Sequence, residues 1–383
     1  MIGKVHAIAK GGAGIVHDTG KAVFIPGVVS GETVEYEIAN RRKTVWEGRL
    51  LRVIEASPQR TRPPCPHYQE CGSCNLQHMS YEEQLRSKTG ILLANLQKIA
   101  GLAIPGPPGI FPSPLWRYRS KSEFQVRDGV SGFFARASHR VIPIRQCLLV
   151  PEAVEVFFLA QSRALRGCAN AQLQIVSNGR ELAARLEMPG GQGEWLSREH
   201  SVRFEVAAYA YRIAPDNFIQ ANLFQMQPML GLLEKNLAGL HPATAADLFC
   251  GCGFFTLPLA GRCRSVLALE NDPGNLAALR TNLELNRTGN VRVIRADVLQ
   301  ADLPPAGLYV VDPPRGGLSA KVIAALTGSD TATIVYFSCD SATLARDLRL
   351  FSSRGFRLQE LQLLDNFPQT DHFETFSVLK KMA

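Results

Sequence analysis

Hydrophobic and polar positions follow two different patterns along this chain. From residue 206 onward, short apolar runs end in small or acidic residues. The runs cover residues 245–250, 265–270, 291–298, 308–312 and 333–339, with helical stretches such as 273–286 and 341–352 between them. This strand–helix alternation predicts a parallel, doubly wound α/β sheet of the Rossmann-like kind. Ligands of such sheets bind beyond the carboxyl ends of the strands. Asp247, Glu270, Asp297, Asp312 and Cys339 fall at or near those ends.

Residues 1–56 alternate with the shorter period of strands and are punctuated by glycine. Strands are predicted over 23–25, 33–38 and 46–53, with turns at Gly20, Pro26-Gly27 and Ser30-Gly31, giving a small β-barrel. Through Gly12-x-Gly14 and Phe24-Ile25-Pro26-Gly27, the segment resembles a TRAM domain, an OB-like RNA-binding barrel attached to RNA-modifying enzymes. A Pro- and Cys-rich stretch, 57–80, opens a second unit. A helix is predicted over 81–101, with Ser80 and Glu83 as a capping box and Leu85, Ile91, Leu92, Leu96 and Ile99 as its apolar set. Residues 104–114 read as a Pro-rich connector. The expected organisation is a multidomain chain: barrel 1–56, central α+β domain 57–205, and α/β domain 206–383. Helix 81–101 is a candidate to pack on the last of these.

Composition excludes several classes. The chain has 383 residues, 46% of them hydrophobic, enough to bury several cores. It holds no apolar run of 18 residues, so no transmembrane helix is expected. The opening MIGKVHAIAKGG has no apolar signal core, so a cytoplasmic protein is expected. The net charge is +8, and residues 206–383 are balanced with 16 basic and 16 acidic side chains. The excess therefore lies in residues 1–205 and points to a polyanionic partner. Arg41-Arg42-Lys43 is expected in a loop, as a phosphate contact or a solvated turn. Residues 116–146 mix Arg117, Arg119, Lys121, Arg127, Arg136, Arg140 and Arg145 with Trp116, Tyr118, Phe124, Phe133 and Phe134. Such strands could hold phosphates and stack bases. The alternative is a half-buried sheet with a polar outer face.

The strongest chemical signal is Asp247-Leu248-Phe249-Cys250-Gly251-Cys252-Gly253, joining a strand to a helix. Gly251 and Gly253 permit a tight turn and close approach of a ligand. Glu270 follows Gly253 by 17 residues, at the end of the next strand, where a carboxylate can grip ribose hydroxyls. Thr256 stands where a dinucleotide fingerprint would carry its third glycine. D-x-x-x-G-x-G instead resembles the class I S-adenosylmethionine-dependent methyltransferases. Asp312-Pro313-Pro314-Arg315 follows the fourth strand; the prolines stiffen the loop, and Arg315 could hold a carbonyl or a phosphate. Ser338-Cys339-Asp340 closes the fifth, and Phe367-Pro368-Gln369-Thr370-Asp371-His372-Phe373-Glu374 precedes the last.

This order of motifs resembles the RNA uracil-5-methyltransferase family. The resemblance implies Cys339 as nucleophile, Glu374 as proton acceptor, and Asp312 and Arg315 as residues holding the base. It implies Gln220, Phe249, Glu270, Asp297 and Asp312 as cofactor residues beside Gly251 and Gly253, with His372 orienting or structural. Phe254 departs from the polar residue common after G-x-G. RNA is the implied partner, with 23S ribosomal RNA favoured and transfer RNA the alternative. A monomer without membrane contact is expected. A non-catalytic RNA-binding module and an iron–sulfur redox protein are the other classes; the Cys339–Glu374 pair argues against the first, and the lack of a second cofactor motif against the other.

Nine cysteines without an export signal suit metal or catalytic roles better than disulfides. Cys65-x5-Cys71-x2-Cys74 with Cys147 matches the ligands of the family's iron–sulfur branch, implying a [4Fe-4S] cluster. His78 offers a competing Cys3His zinc reading, which leaves Cys147 unexplained.

Overall fold

The computed structural model describes every residue except 19, 44, 103, 105, 192, 241, 329 and 383. Six strands open the chain: β1 (Ile2–Lys4), β2 (Ala7–Ile8), β3 (Ala13–Asp18), β4 (Lys21–Pro26), β5 (Thr33–Arg41) and β6 (Trp46–Glu55). They form one curled sheet in the order β1-β5-β6-β4-β3-β2. Inward residues Val23, Ile25, Val34 and Tyr36 are buried, and Leu76 and Met79 from the following segment complete that core. β1 to β3 go beyond the three strands the pattern predicts; two of them are very short, and β3 carries Gly14 and His17 within its alternation. The outer face is electrically self-satisfied: Arg42 pairs with Glu47, Arg49 with Glu37 and Arg52 with Glu35. Arg41 ends a strand rather than lying in a loop, and its guanidinium sits 5.0 Å from the Trp46 ring centre.

The next helix, α1 (Tyr81–Asn95), is capped by the Ser80 hydroxyl, which accepts from the Glu83 amide. It continues as a π-helical turn, Leu96–Ala100, and stops at Gly101. β7 (Gly109–Phe111) follows, within the expected connector. A second sheet then forms from β8 (Lys121–Arg127), β9 (Val130–Phe134), β10 (Val141–Pro143), β11 (Asn170–Ser177), β12 (Leu182–Glu187) and β13 (Gly193–Trp195). α2 (Glu152–Ala164) packs on it. Here the half-buried-sheet reading prevails over base stacking. Phe124 lies stacked between Phe133 and Phe158 at 4.6 and 3.8 Å, and Tyr118 is buried beside them. Strand alternation turns Phe124 and Phe133 inward, where burial stabilises the unit more than exposure would, while Phe134, next to Phe133, stays half-buried with the Arg127 guanidinium 5.8 Å from its ring centre.

The hairpin β14 (Val202–Val206) and β15 (Tyr209–Ile213) leads into α3 (Met226–Leu237). The last part alternates β16 (Thr244–Leu248), α4 (Thr256–Ala260), β17 (Ser265–Glu270), α5 (Pro273–Leu285), β18 (Val291–Arg295), β19 (Leu308–Val311), α6 (Ala320–Leu326), β20 (Thr333–Ser338) and α7 (Ser341–Ser352). β21 (Phe356–Leu364) and β22 (Glu374–Lys381) close it. The sheet order is β18-β17-β16-β19-β20-β22-β21-β7. β16 to β20 are parallel, β22 runs antiparallel to β20 and β21, and β7 joins the far edge parallel to β21. This is the expected doubly wound sheet. The chain before residue 206 also enters it: α1 buries Ile91 and Leu92 with Leu344, Leu348 and Phe351 of α7. Among the described residues, no helix is long and apolar enough to cross a membrane.

Candidate active site

The carboxyl ends of β16, β17, β19 and β20 open onto one cavity of about 460 Å³. The lining holds eight of the residues expected at the site: Gln220, Phe249, Gly251, Glu270, Asp312, Arg315, Cys339 and Glu374. His372 lines it too. Asp297 and Gly253 are outside the lining. Asp297 instead accepts the Leu299 amide in its own loop, at 3.0 Å.

The loop after β16 is shaped by its backbone. Phe249 has φ +61° and Gly251 +54°. At Gly253, with φ +90°, a Cβ would stand 2.5 Å from Leu279 Cδ1, so α5 could not pack as closely against any other residue. Glu270 braces the loop by accepting the Gly251 amide at 3.0 Å. Its other oxygen accepts the amides of Asn271 and Asp272 at 2.7 and 2.8 Å. Beneath, Asp247 is fully buried and accepts the Thr256 hydroxyl at 2.6 Å. Burial pushes its pKa up to about 8. Phe254, where the motif departs from the polar norm, is buried against Phe255 and Tyr211, so its side chain belongs to the core.

On the opposite wall the acid–base groups converge. Gln220 donates to Asp312 Oδ2 at 2.9 Å, which partly offsets the burial that raises Asp312 to about 6. Glu374 begins β22 and is buried; burial, then the Asp312 carboxylate, push its pKa well above the carboxylate range, with Arg315 acting the other way. Among the described residues its Oε2 has no hydrogen-bond partner. Cys339 is half-buried at the end of β20. Burial, Glu374 and Asp312 raise its thiol to about 12, and Arg315 opposes them. Burial lowers His372. The cavity therefore combines a thiol, two buried carboxyl groups whose pKa values are both raised, a guanidinium and a tight glycine-bearing turn. Perturbed titrations gathered in one concave site mark chemistry rather than packing.

A family model described as tRNA (Uracil-5-)-methyltransferase matches residues 147–302 and 306–382. The chain belongs to this family. It is 31% identical to a 23S rRNA (uracil(1939)-C(5))-methyltransferase of Pseudomonas putida over 98% of this chain and 92% of that protein. It is 30% identical to an uncharacterized RNA methyltransferase of Aquifex aeolicus, over 98% and 97% respectively. The fold matches a Pyrococcus abyssi tRNA (uracil-54, C5)-methyltransferase solved with S-adenosyl-L-homocysteine, with a TM-score of 0.78 and 20% identity over 99% of both chains.

Within this family member, Asn275 is a cavity residue that the sequence reading missed, and Phe367 one that it quoted in a motif without giving it a role. Asn275, in the first turn of α5, accepts the Phe218 amide at 2.8 Å and so ties the Phe218–Ala221 wall to the start of that helix. Phe367 closes the other side. A polar residue three positions after the Asp272 N-cap was the available signal for the first; nothing distinguished the second from a core aromatic. Outside this cavity, Cys65, Cys71, Cys74 and Cys147 line one small pocket as free thiols. Burial raises Cys74 to about 12, with Arg119 acting against it, and Arg119 also acts on Cys147. His78 is committed elsewhere: one ring nitrogen meets the Tyr68 hydroxyl at 2.6 Å and the other the Val28 carbonyl at 3.0 Å. Both ring nitrogens are thus engaged, which counts against the Cys3His alternative. Among the described residues, no three His, Cys, Asp or Glu side chains are placed to hold one metal ion.

Proposed function

We propose that this protein transfers the methyl group of S-adenosylmethionine to C5 of a uridine in RNA, giving 5-methyluridine. The observation that carries the reading is the meeting of Cys339, Glu374, Asp312 and Arg315 with Gln220, Phe249 and Glu270 around one cavity. Ribosomal RNA is the favoured substrate, supported by likeness over nearly the whole chain to proteins named as 23S rRNA methyltransferases.

Uracil C5 is too weak a nucleophile to attack a sulfonium methyl group unaided. Cys339 gives up its thiol proton to solvent; its Sγ, as thiolate, then adds to C6, and the C5–C6 π electrons move onto C4–O4 as an enolate. Arg315 favours both the thiolate and this negative charge. C5 then attacks the methyl carbon, and the methyl–sulfur bond breaks to leave S-adenosylhomocysteine. Glu374, as carboxylate, takes the C5 proton. The released electron pair re-forms C5=C6 and expels the Cys339 thiolate. Burial raises the basicity of Glu374, which suits it to that proton. Gln220 and Asp312 order the wall between the two reactants, and Glu270 faces the ribose.

The four-cysteine pocket fits a [4Fe-4S] cluster in its donor set. Each thiolate of such a cluster binds a different iron, so the four sulfurs need not converge on one point as they would around zinc. Arg119 would offset part of the cluster's charge. Methyl transfer moves no electron, so the cluster's contribution is to hold the fold. The curled sheet of residues 1–56 serves as a TRAM-like RNA-binding module, and the whole acts as a cytoplasmic monomer.

The test is the fate of the covalent intermediate. Cys339→Ala is expected to form neither 5-methyluridine nor adduct. Glu374→Gln is expected to methylate once and remain bound to RNA through denaturing electrophoresis. Normal turnover by either variant would overturn the assignment.

A further inference from the structure

The loop between β2 and β3 reaches out of the N-terminal sheet and touches both chain segments that carry the reacting groups. Lys10 Nζ pairs with Asp340 Oδ2. Asp340 directly follows Cys339 and caps α7, its Oδ1 accepting the amides of Ala342 and Thr343 at 2.9 and 3.1 Å. The neighbouring Gly11 amide donates to Asp371 Oδ2 at 2.6 Å. Asp371 lies three residues before Glu374. Its other oxygen accepts Asn75 Nδ2 at 2.7 Å, and Asn75 Nδ2 also donates to the Gly11 carbonyl at 3.0 Å. The backbone is specialised for this reach: Gly11 has φ +92° and Gly12 +77°, and a Cβ on Gly12 would stand 2.8 Å from Asn75 Nδ2. Neither Asp340 nor Asp371 lines the cavity.

We propose that Lys10 and Gly11 form a cross-brace that sets the spacing of Cys339 and Glu374, making Lys10 a positioning residue for methyl transfer. The proposal rests on the roles given to Cys339 and Glu374 above. Adjacent residues of one tight loop hold one carboxylate on each catalytic segment, so a shift of β20's end relative to the start of β22 breaks one of the two contacts. Burial disfavours the Asp340 carboxylate, but Lys10 and the helix amides outweigh it and hold the group below its usual range. The contact is therefore an ion pair at neutral pH. The N-terminal sheet acts on catalysis as well as on RNA. Geometry matters steeply here, since misplacing reacting groups by about 1 Å can cost on the order of a hundredfold in rate.

The experiment compares full-length wild type, Lys10→Met, Lys10→Arg, Asp340→Asn and the double variant Lys10→Met/Asp340→Asn, with Cys339→Ala as the control. Asparagine still caps a helix, so Asp340→Asn removes the ion pair and keeps α7. Methyl transfer is followed over RNA concentration, and Cys339 alkylation by iodoacetamide by peptide mass spectrometry. Lys10→Met and Asp340→Asn are each expected to lose about tenfold in kcat with KM for RNA within about twofold, and the double variant to lose no more than either. Lys10→Arg should recover most of the rate, and Cys339 alkylation should change in Lys10→Met and in Asp340→Asn. Additive losses, or a loss confined to KM with a shallower salt dependence, would overturn the brace and make Lys10 a phosphate contact. Methylation by Cys339→Ala would instead overturn the assigned chemistry, an outcome separate from either.

Discussion

Asp247 shows what a single buried carboxylate does in this fold. It ends the first strand of the catalytic sheet, is fully buried, and accepts one hydroxyl from Thr256, while among the described residues its Oδ1 has no partner. Its pKa rises from 3.8 to about 8, with burial the largest cause. Between those values the unfolded chain has lost the proton and the folded chain keeps it. Stability therefore falls as pH rises from about 4 to 8 and levels off above. Asp247→Asn keeps an oxygen for Thr256 and cannot ionise. Relative to wild type, its melting temperature is expected to rise steadily across that window. A pH-independent difference would show that Asp247 is ionised in the fold.

At the scale of elements, α1 and the segment before β22 decide where Glu374 stands. Lys88 and Asp365 form an ion pair at 2.5 Å with neither side chain exposed, and Lys88 also donates to the Phe367 carbonyl at 3.0 Å. Gln84 adds two contacts to Gln369, accepting its amide at 2.8 Å and donating to its side-chain oxygen at 3.1 Å. A helix encoded nearly 280 residues earlier in the chain thus clamps the strap between β21 and β22. Removing one partner of a buried pair leaves an uncompensated charge, which costs about 3–5 kcal/mol. Lys88→Met is expected to destabilise by that order in denaturant unfolding, and Lys88→Met/Asp365→Asn to recover part of the loss. Equal stability of the two variants would mean that Asp365 left without Lys88 carries no penalty. The four-cysteine pocket belongs to this scale as well. Protein purified without oxygen is expected to be brown, with about four irons per chain. Colourless protein with one stoichiometric zinc would refute the cluster.

For the whole molecule, net charge is a poor map of the RNA surface. Arg42, Arg49 and Arg52 contribute to the N-terminal excess but already face glutamates across β5 and β6. Arg62 and Arg145 are exposed and, among the described residues, have no carboxylate within ion-pair distance. Each phosphate contact contributes roughly 0.7–0.9 to the slope of log affinity against log salt. Arg62→Gln/Arg145→Gln is therefore expected to flatten the slope for RNA binding by about 1–2, and Arg49→Gln/Arg52→Gln to leave it nearly unchanged. The reverse ranking would move the RNA surface to the outer face of β5 and β6. Deleting residues 1–56 is a blunter probe. It would expose Leu76 and Met79 and remove Lys10 together with any RNA contact.

Much of the α/β half was legible because the central strands β16, β19 and β20 are buried on both faces and α5, α6 and α7 begin at the capping residues Asp272, Ser319 and Asp340. β17 and α7 match the expected bounds of 265–270 and 341–352, since continuous apolar runs and Asp340 leave little freedom. The candidate site residues were legible where chemistry constrains residue type locally, as in the glycines after Asp247, the prolines after Asp312 and the cysteine after Ser338. Local pattern left residues 116–146 open between two readings. Alternating arginines and aromatics look alike whether the rings face RNA or a core, and only α2, with Phe158 against Phe124, decides for the core. The same limit hid Asn275, the role of Phe367, the clamp of α1 on the strap before Glu374, and the reach of Lys10-Gly11 across the catalytic segments. Those contacts join residues tens to hundreds of positions apart. Sequence periodicity records which face of an element is buried, while the partner it is buried against, and the distance between two reacting groups, exist only once the chain has packed.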